Sequence, residues 1–303
     1  LINQGNGQFK DETLARFGQN IDFGMVNSAL WTNLSGDDQL ELVLTGDWQG
    51  IRVFELGAEN TFQEKVILGL EKSAGWIASL QAADVNGDGR MDLLTGNLGL
   101  NSKLKASVAK PVWLYHADFD GNGQADPLIF HYMGEKLVPF GTRDDLIKQI
   151  PILKRKHSSY ADYSKSNQPA DLFSADILAK ATRKAAVEFR SGAYIQQADD
   201  SFLFSPFPFS GQLSPVQDLA WDESSKRIFI VGNFNDFRVD LGKSTANAFQ
   251  IFQYKDGIWV TSKVENSIPN QAEIRHLKPI KVKGTNYQIA VPNNGGVFWV
   301  KLD

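Results

Sequence analysis

The sequence predicts an all-β protein, and within that class a β-propeller. Three observations carry the prediction. One short strand motif, an apolar run followed by a small-residue corner, recurs along the chain. Short strands between the copies are separated by Gly, Asn and Asp turns. The spacing amounts to a repeat of about 40–50 residues, the span of a four-stranded blade.

Five copies of the motif are counted, which allows five to seven blades. They are Leu42-Val-Leu-Thr-Gly46-Asp-Trp48, Leu93-Leu-Thr-Gly96-Asn-Leu98, the weaker Leu128-Ile-Phe-His-Tyr-Met-Gly134, Ile228-Phe-Ile-Val-Gly232-Asn-Phe234 and Ile289-Ala-Val-Pro-Asn-Asn-Gly295. A sixth is looked for around Tyr194 to Phe209. Outer strand pairs ending in an aromatic follow most copies, as in Ile51-Arg-Val-Phe54 with Thr61-Phe62 and Phe249-Gln-Ile-Phe252 with Ile258-Trp259. Leu1-Ile2 with Gln8-Phe9 reads as such an outer pair without its inner strands. The two termini are therefore expected to share one blade and close the ring, which removes exposed sheet edges.

One stretch breaks the rhythm. Residues 143–190 are rich in Ala, Lys, Leu and Asp, with helical apolar spacing at Leu146, Ile147 and Ile150, and a helix start at Asp171 or Ser174. The expectation is one propeller domain over 1–303 with a helical insertion at 143–190. Such an insertion acts as a packing cap or a binding lid.

Two nine-residue loops carry the strongest chemical signal. Asp84-Val-Asn86-Gly-Asp88-Gly-Arg90-Met-Asp92 and Asp118-Phe-Asp120-Gly-Asn122-Gly-Gln124-Ala-Asp126 both place oxygen-bearing side chains at positions 1, 3, 5 and 9 and Gly at position 6. Alternate side chains then point inward around a hard cation, and the position-7 backbone carbonyl, of Arg90 or Gln124, fills a further site. Two structural calcium ions are expected. The bland alternative is a pair of metal-free Asn/Asp/Gly turns. The stretch Asn33 to Glu41 keeps the spacing but lacks most carboxylates and the position-6 Gly, so firm binding is not expected there. Residues 218–226 and 276–284 hold no usable ligand set.

Composition narrows the function. The chain has 303 residues, 42% hydrophobic and 22% charged, with 31 basic against 35 acidic residues and a net charge of −4. That balance disfavours a nucleic-acid partner. With no cysteine, disulfides, thiolate metal sites and a cysteine nucleophile are excluded. No apolar run reaches the roughly 18 residues of a membrane span. The chain opens in strand character without Met or signal peptide, which reads as a mature form or an excised fragment.

The paired acidic loops, each leading into an apolar strand, resemble the FG-GAP/VCBS repeats of integrin-alpha-like propellers. The run Gly96-Asn97-Leu98-Gly99-Leu100-Asn101 and the later order of Asp118-Phe-Asp120-Gly, Arg143-Asp-Asp145 and a Lys-rich stretch look like secreted bacterial relatives of the cartilage acidic protein family. The resemblance covers most of residues 20–209, and the last third only in blade rhythm. It implies an exported protein, extracellular, at the cell surface or periplasmic, that recognises a glycan or protein and has no assigned reaction.

Other candidates are weighed on that background. Seven tryptophans spaced through the blades fit inter-blade packing. The sharper reading makes Trp48 and Trp76 a sugar-stacking platform. Lys154, Arg155 and Lys156 fit a solvated helix end, or else a contact for an acidic glycan or partner protein. No Gly-x-Ser-x-Gly elbow, phosphate loop or dinucleotide fingerprint is present, so no catalytic residue is assigned. Asp144/Asp145 and Asp199/Asp200 keep open a carbohydrate-active enzyme, a hydrolase or lyase, as the alternative. A purely structural scaffold domain within a longer protein is the third reading.

Overall fold

A computed structural model of the chain describes residues 1–19, 21–238, 242–263 and 267–302, without the side chains of 237 and 238. The protein is mostly β, and its strands pair antiparallel. Two compact units are resolved. The larger comprises residues 1–101 and 190–303, the smaller residues 102–189.

The larger unit holds four main sheets. The first runs Met25–Thr32, Glu41–Gln49, Arg52–Leu56 and Phe62–Lys65, with the short strand Gly75–Trp76 also pairing Glu41–Gln49. The second is ordered Ser79–Ala83, Asp92–Gly96, Gly192–Gln196, Phe202–Pro206. The third is Val216–Asp222, Arg227–Gly232, Phe249–Lys255, Ile258–Ser262, and the last is Ile274–Val282, Thr285–Pro292, Phe298–Leu302. The first strands of successive sheets lie against one another in that order.

The strand period of two explains why these sheets stack. Along Asp92–Gly96, Leu93 packs toward the first sheet with Val43 and Val53, while Leu94 packs toward the third with Leu219, Ile228 and Phe252. In Arg227–Gly232, Ile228 and Ile230 serve that same interface, and Phe229 and Val231 face the last sheet with Leu277, Ala290 and Val300. A strand covered on both faces must be apolar at every position, and that requirement produces the motif seen in the sequence. Each motif copy is the second strand of its sheet. Polar ties run between sheets as well: Trp221 N–H donates to Gln81 Oε1 at 2.8 Å and Leu277 N–H to Asp218 Oδ2 at 2.9 Å.

Gly46 shows how closely strands approach. A Cβ there would sit 1.8 Å from the Met25 carbonyl oxygen and 2.9 Å from the Asn27 nitrogen. Gly46→Ala is therefore expected to cost about 3 kcal/mol or more, since backbone has to move. Gly296→Ala, with nothing within 4 Å, is the near-neutral control. Urea midpoints of the two variants check this.

The smaller unit has a sheet ordered Lys136–Pro139, Asp126–Met133, Val112–Ala117, Thr182–Ala186. Between its strands Lys136–Pro139 and Thr182–Ala186 come four short helices, Arg143–Gln149, Leu153–Lys156, Tyr160–Tyr163 and Ala175–Lys180. Thr142 and Asp145 form a capping box, and Ser174 caps the last helix. Leu146, Ile150, Leu153, Leu172 and Phe173 pack on Tyr115, Leu128 and Phe130 of the sheet and on Phe119 of the loop between its first two strands.

Three sequence expectations need revision. The helical stretch ends at Lys180, not 190, and belongs to an inserted unit that brings its own sheet. That unit enters between the second and third strands of the second sheet. The sixth motif looked for near Tyr194 to Phe209 is instead the third and fourth strands of that sheet, Gly192–Gln196 and Phe202–Pro206. Ile2–Gly5 pairs with Gln8–Lys10 and Phe298–Leu302 with Thr285–Pro292, and among the described residues no pairing joins the two ends, so the expected closure of the ring is not seen there.

Candidate metal centre

Three loops of one construction join first and second strands: 33–41, 84–92 and 118–126. In each, the position-1 side chain accepts from the position-4 N–H. Asn33 Oδ1 takes Gly36 at 2.7 Å, Asp84 Oδ1 takes Gly87 at 2.7 Å and Asp118 Oδ1 takes Gly121 at 2.8 Å. Position 5 accepts from position 7: Asp37 from Gln39 at 2.7 Å, Asp88 from Arg90 at 2.9 Å, Asn122 from Gln124 at 2.7 Å. Position 9 reaches back to position 2: Glu41 to Leu34 at 2.7 Å, Asp92 to Val85 at 2.9 Å, Asp126 to Phe119 at 3.5 Å. Position 2 is apolar and buried in all three, which plugs the loop into the core.

The two Gly-rich loops go further. Gly89 N–H donates to Asp84 Oδ2 at 2.9 Å and Gly123 N–H to Asp118 Oδ2 at 2.8 Å. Both need left-handed backbone at positions 4 and 6, with φ of 79° and 86° at Gly87 and Gly89 and the same pair at Gly121 and Gly123. Loop 33–41 has this conformation only at Gly36, because Asp38 occupies position 6.

The loops differ in charge geometry. Asp118, Asp120 and Asp126 each bring a carboxylate oxygen within 4.8 Å of the others, and Asp126 is buried. These three can hold a metal ion. Backbone N–H groups, that of Gly123 foremost, hold the Asp118 carboxyl below its ordinary value. Oxygen-only donors around mutually repelling carboxylates fit a hard divalent cation.

In loop 84–92 no such triad forms among the described residues. Asp88 Oδ2 takes Arg90 Nη2 at 2.7 Å and Asn86 Nδ2 at 3.0 Å. Burial works against the Asp88 charge, but these donors and the Arg90 N–H outweigh it and lower its pKa. Asp92 is fully buried. Burial pushes its carboxyl up to about 6 against the N–H bonds of Val85 and Gln196, with the charges of Asp88 and Asp84 pushing the same way as burial. Asp84, Asn86, Asp88 and Asp92 thus share one loop, with the Arg90 guanidinium paired to Asp88. Arg90→Ala is expected to tighten calcium binding at this loop by about fivefold, the scale of one partly exposed ion pair. Calorimetric titration of the variant against the parent checks it.

The remaining candidates lie elsewhere. Trp48 is 9% exposed and packs edge-on against Trp76, ring centroids 5.2 Å apart. The two rings meet each other, a contact the sequence reading did not anticipate. Lys154, Arg155 and Lys156 are exposed on a one-turn helix, and Lys156 Nζ donates to the Leu172 carbonyl at 3.2 Å. Asp145 caps a helix, and Asp199 accepts from Ser201 Oγ at 2.6 Å. Gln196, which sequence spacing does not flag, links Asp92 to loop 33–41. Its N–H donates to Asp92 Oδ1 at 2.9 Å and its Nε2 to the Leu34 carbonyl at 2.8 Å.

A comparison with curated proteins finds no match. A family model matches from position 1 of the first loop, through the strands Glu41–Gln49, Arg52–Leu56 and Phe62–Lys65 and the second loop, into the strand Asp92–Gly96. Over residues 33–95 the chain carries an FG-GAP-like repeat.

Proposed function

We propose that the chain is an extracellular recognition domain of the integrin-alpha-like kind, non-catalytic, whose two Gly-rich acidic loops hold structural calcium. The observation that carries the reading is the shared hydrogen-bond frame of the loops, complete only where both glycines are present. The FG-GAP-like repeat over 33–95 supports it. So does the stacking of successive antiparallel sheets through apolar interfaces, the arrangement of propeller blades.

Asp118, Asp120, Asn122, Asp126 and the Gln124 carbonyl would hold one ion. Asp84, Asn86, Asp88, Asp92 and the Arg90 carbonyl would hold the other. Calcium supplies charge neutralisation and ties the two ends of each hairpin, so binding adds to folding free energy. Recognition of a glycan or protein then falls to surfaces held by the stiffened frame, in an exported setting where calcium is plentiful. Isothermal titration of chelator-treated protein with calcium tests this. Two sites are expected, and Asp118→Asn should remove one of them. Absence of heat together with an unchanged melting curve would falsify the reading.

A further inference from the structure

A cavity of about 380 Å³ opens in the larger unit beside loop 33–41, walled also by the strands Arg52–Leu56 and Phe62–Lys65 and by the 197–201 turn. Two buried acceptors belong to it. Glu41, 3% exposed, accepts the Leu34 N–H through Oε2 and has no described partner on its other oxygen. Gln196, also 3% exposed, donates Nε2 to the Leu34 carbonyl at 2.8 Å, and its Oε1 has no hydrogen-bond partner. The donor bond fixes the amide orientation, so the orphan atom is an acceptor and not a misassigned nitrogen.

A buried acceptor without a donor is costly, and the cavity's own cation does not relieve it, because Lys65 is engaged by Glu55. The mouth adds charge of the same sign. Asp200 lies there exposed, next to Asp199. Apolar surface stands beside it, with Val66 91% and Leu68 68% exposed. Acceptors inside, carboxylates at the mouth and apolar walls call for a ligand with several N–H donors, a positive charge and a hydrocarbon stem.

We propose that this cavity binds a primary ammonium or guanidinium group carried on an apolar stem, with its N–H donors directed at Glu41 and Gln196 Oε1. Its source is a basic side chain of a partner polypeptide or a free alkyl polyamine, which share that chemistry. The proposal does not rest on calcium in loops 84–92 and 118–126, and its test can fail without touching that reading.

The test is a titration of the ¹⁵N-labelled full chain, in excess calcium, with N-acetyl-lysine N-methylamide and with cadaverine. N-acetyl-norleucine N-methylamide is the uncharged control. Saturable shifts at amides of 33–41 and 196–201 are expected with the charged probes and not with norleucine. Glu41→Gln, which keeps an acceptor for Leu34, should weaken binding about tenfold or more. Asp200→Asn, on an exposed turn where Asn tolerates the left-handed φ of 64°, should weaken it by less. Tighter binding of the lysine probe identifies a polypeptide source, and tighter binding of cadaverine a free amine. No saturation by ~10 mM of either probe, the scale of the weakest useful affinity, overturns the proposal. So does equal binding to both variants and parent.

Discussion

Phe119→Ala is expected to destabilise the unit 102–189 by about 3–5 kcal/mol, the usual cost of emptying a fully buried aromatic site. Phe119 occupies position 2 of the acidic loop, is wholly buried, and lies 4.2 Å from Phe173 centroid to centroid. The same ring therefore anchors the acidic loop and the helical segment. Its removal leaves a void among Phe130, Leu146, Ile150 and Leu153, which sheet and short helices can fill only in part. Two compact units need not unfold together, so the measurement should report on this one. Trp113 is the sole tryptophan of residues 102–189 and packs against the same cluster. Urea unfolding followed in a variant that retains only Trp113 should show the loss, and Phe119→Leu should show much less of it. A loss below ~1 kcal/mol, the centre of ordinary substitutions, would mean the loop is not held by this core.

Calcium removal is the second large effect. At about ten times its dissociation constant, one bound ion stabilises the folded state by about 1.4 kcal/mol. For a unit of this size each kcal/mol moves the melting temperature by about 4–8 °C. Chelation is therefore expected to lower the transition of unit 102–189 by about 6–11 °C, restored by added calcium. The larger unit should shift less, since the same energy is spread over more residues and Arg90 already occupies part of its loop. Asp118→Asn should abolish the shift in the small unit while leaving that in the large one.

What was legible in the sequence follows from where information is local. The motif Leu42 to Trp48 and its four counterparts mark second strands, and in Glu41–Gln49, Asp92–Gly96 and Arg227–Gly232 cover on both faces makes the run continuously apolar. Ser174 capped the helix it was expected to cap. Loop positions 1, 5 and 9 were readable because their side chains accept the loop's own backbone N–H groups.

The rest depended on contacts distant in sequence. The strand Asp92–Gly96 pairs with Gly192–Gln196 across the whole inserted unit, and nothing near Gly96 announces that the sheet resumes so far downstream. Tyr194 to Phe209 resembled a new repeat because a central strand looks alike wherever its sheet begins. Trp48 and Trp76 lie within the strands Glu41–Gln49 and Gly75–Trp76, and their edge-on contact is set by the pairing of Asp47 with Trp76. The role of Arg90 as an internal counter-ion depends on which way one side chain turns. Gln196 acquires its place from Leu34, 162 positions away.

Amide hydrogen exchange with and without calcium tests the central claim most directly, because it separates the three loops. Calcium should slow exchange at residues 84–92 and 118–126, with the greatest protection at 118–126, and leave 33–41 unchanged. Uniform exchange in both conditions, or protection confined to 33–41, would contradict the account.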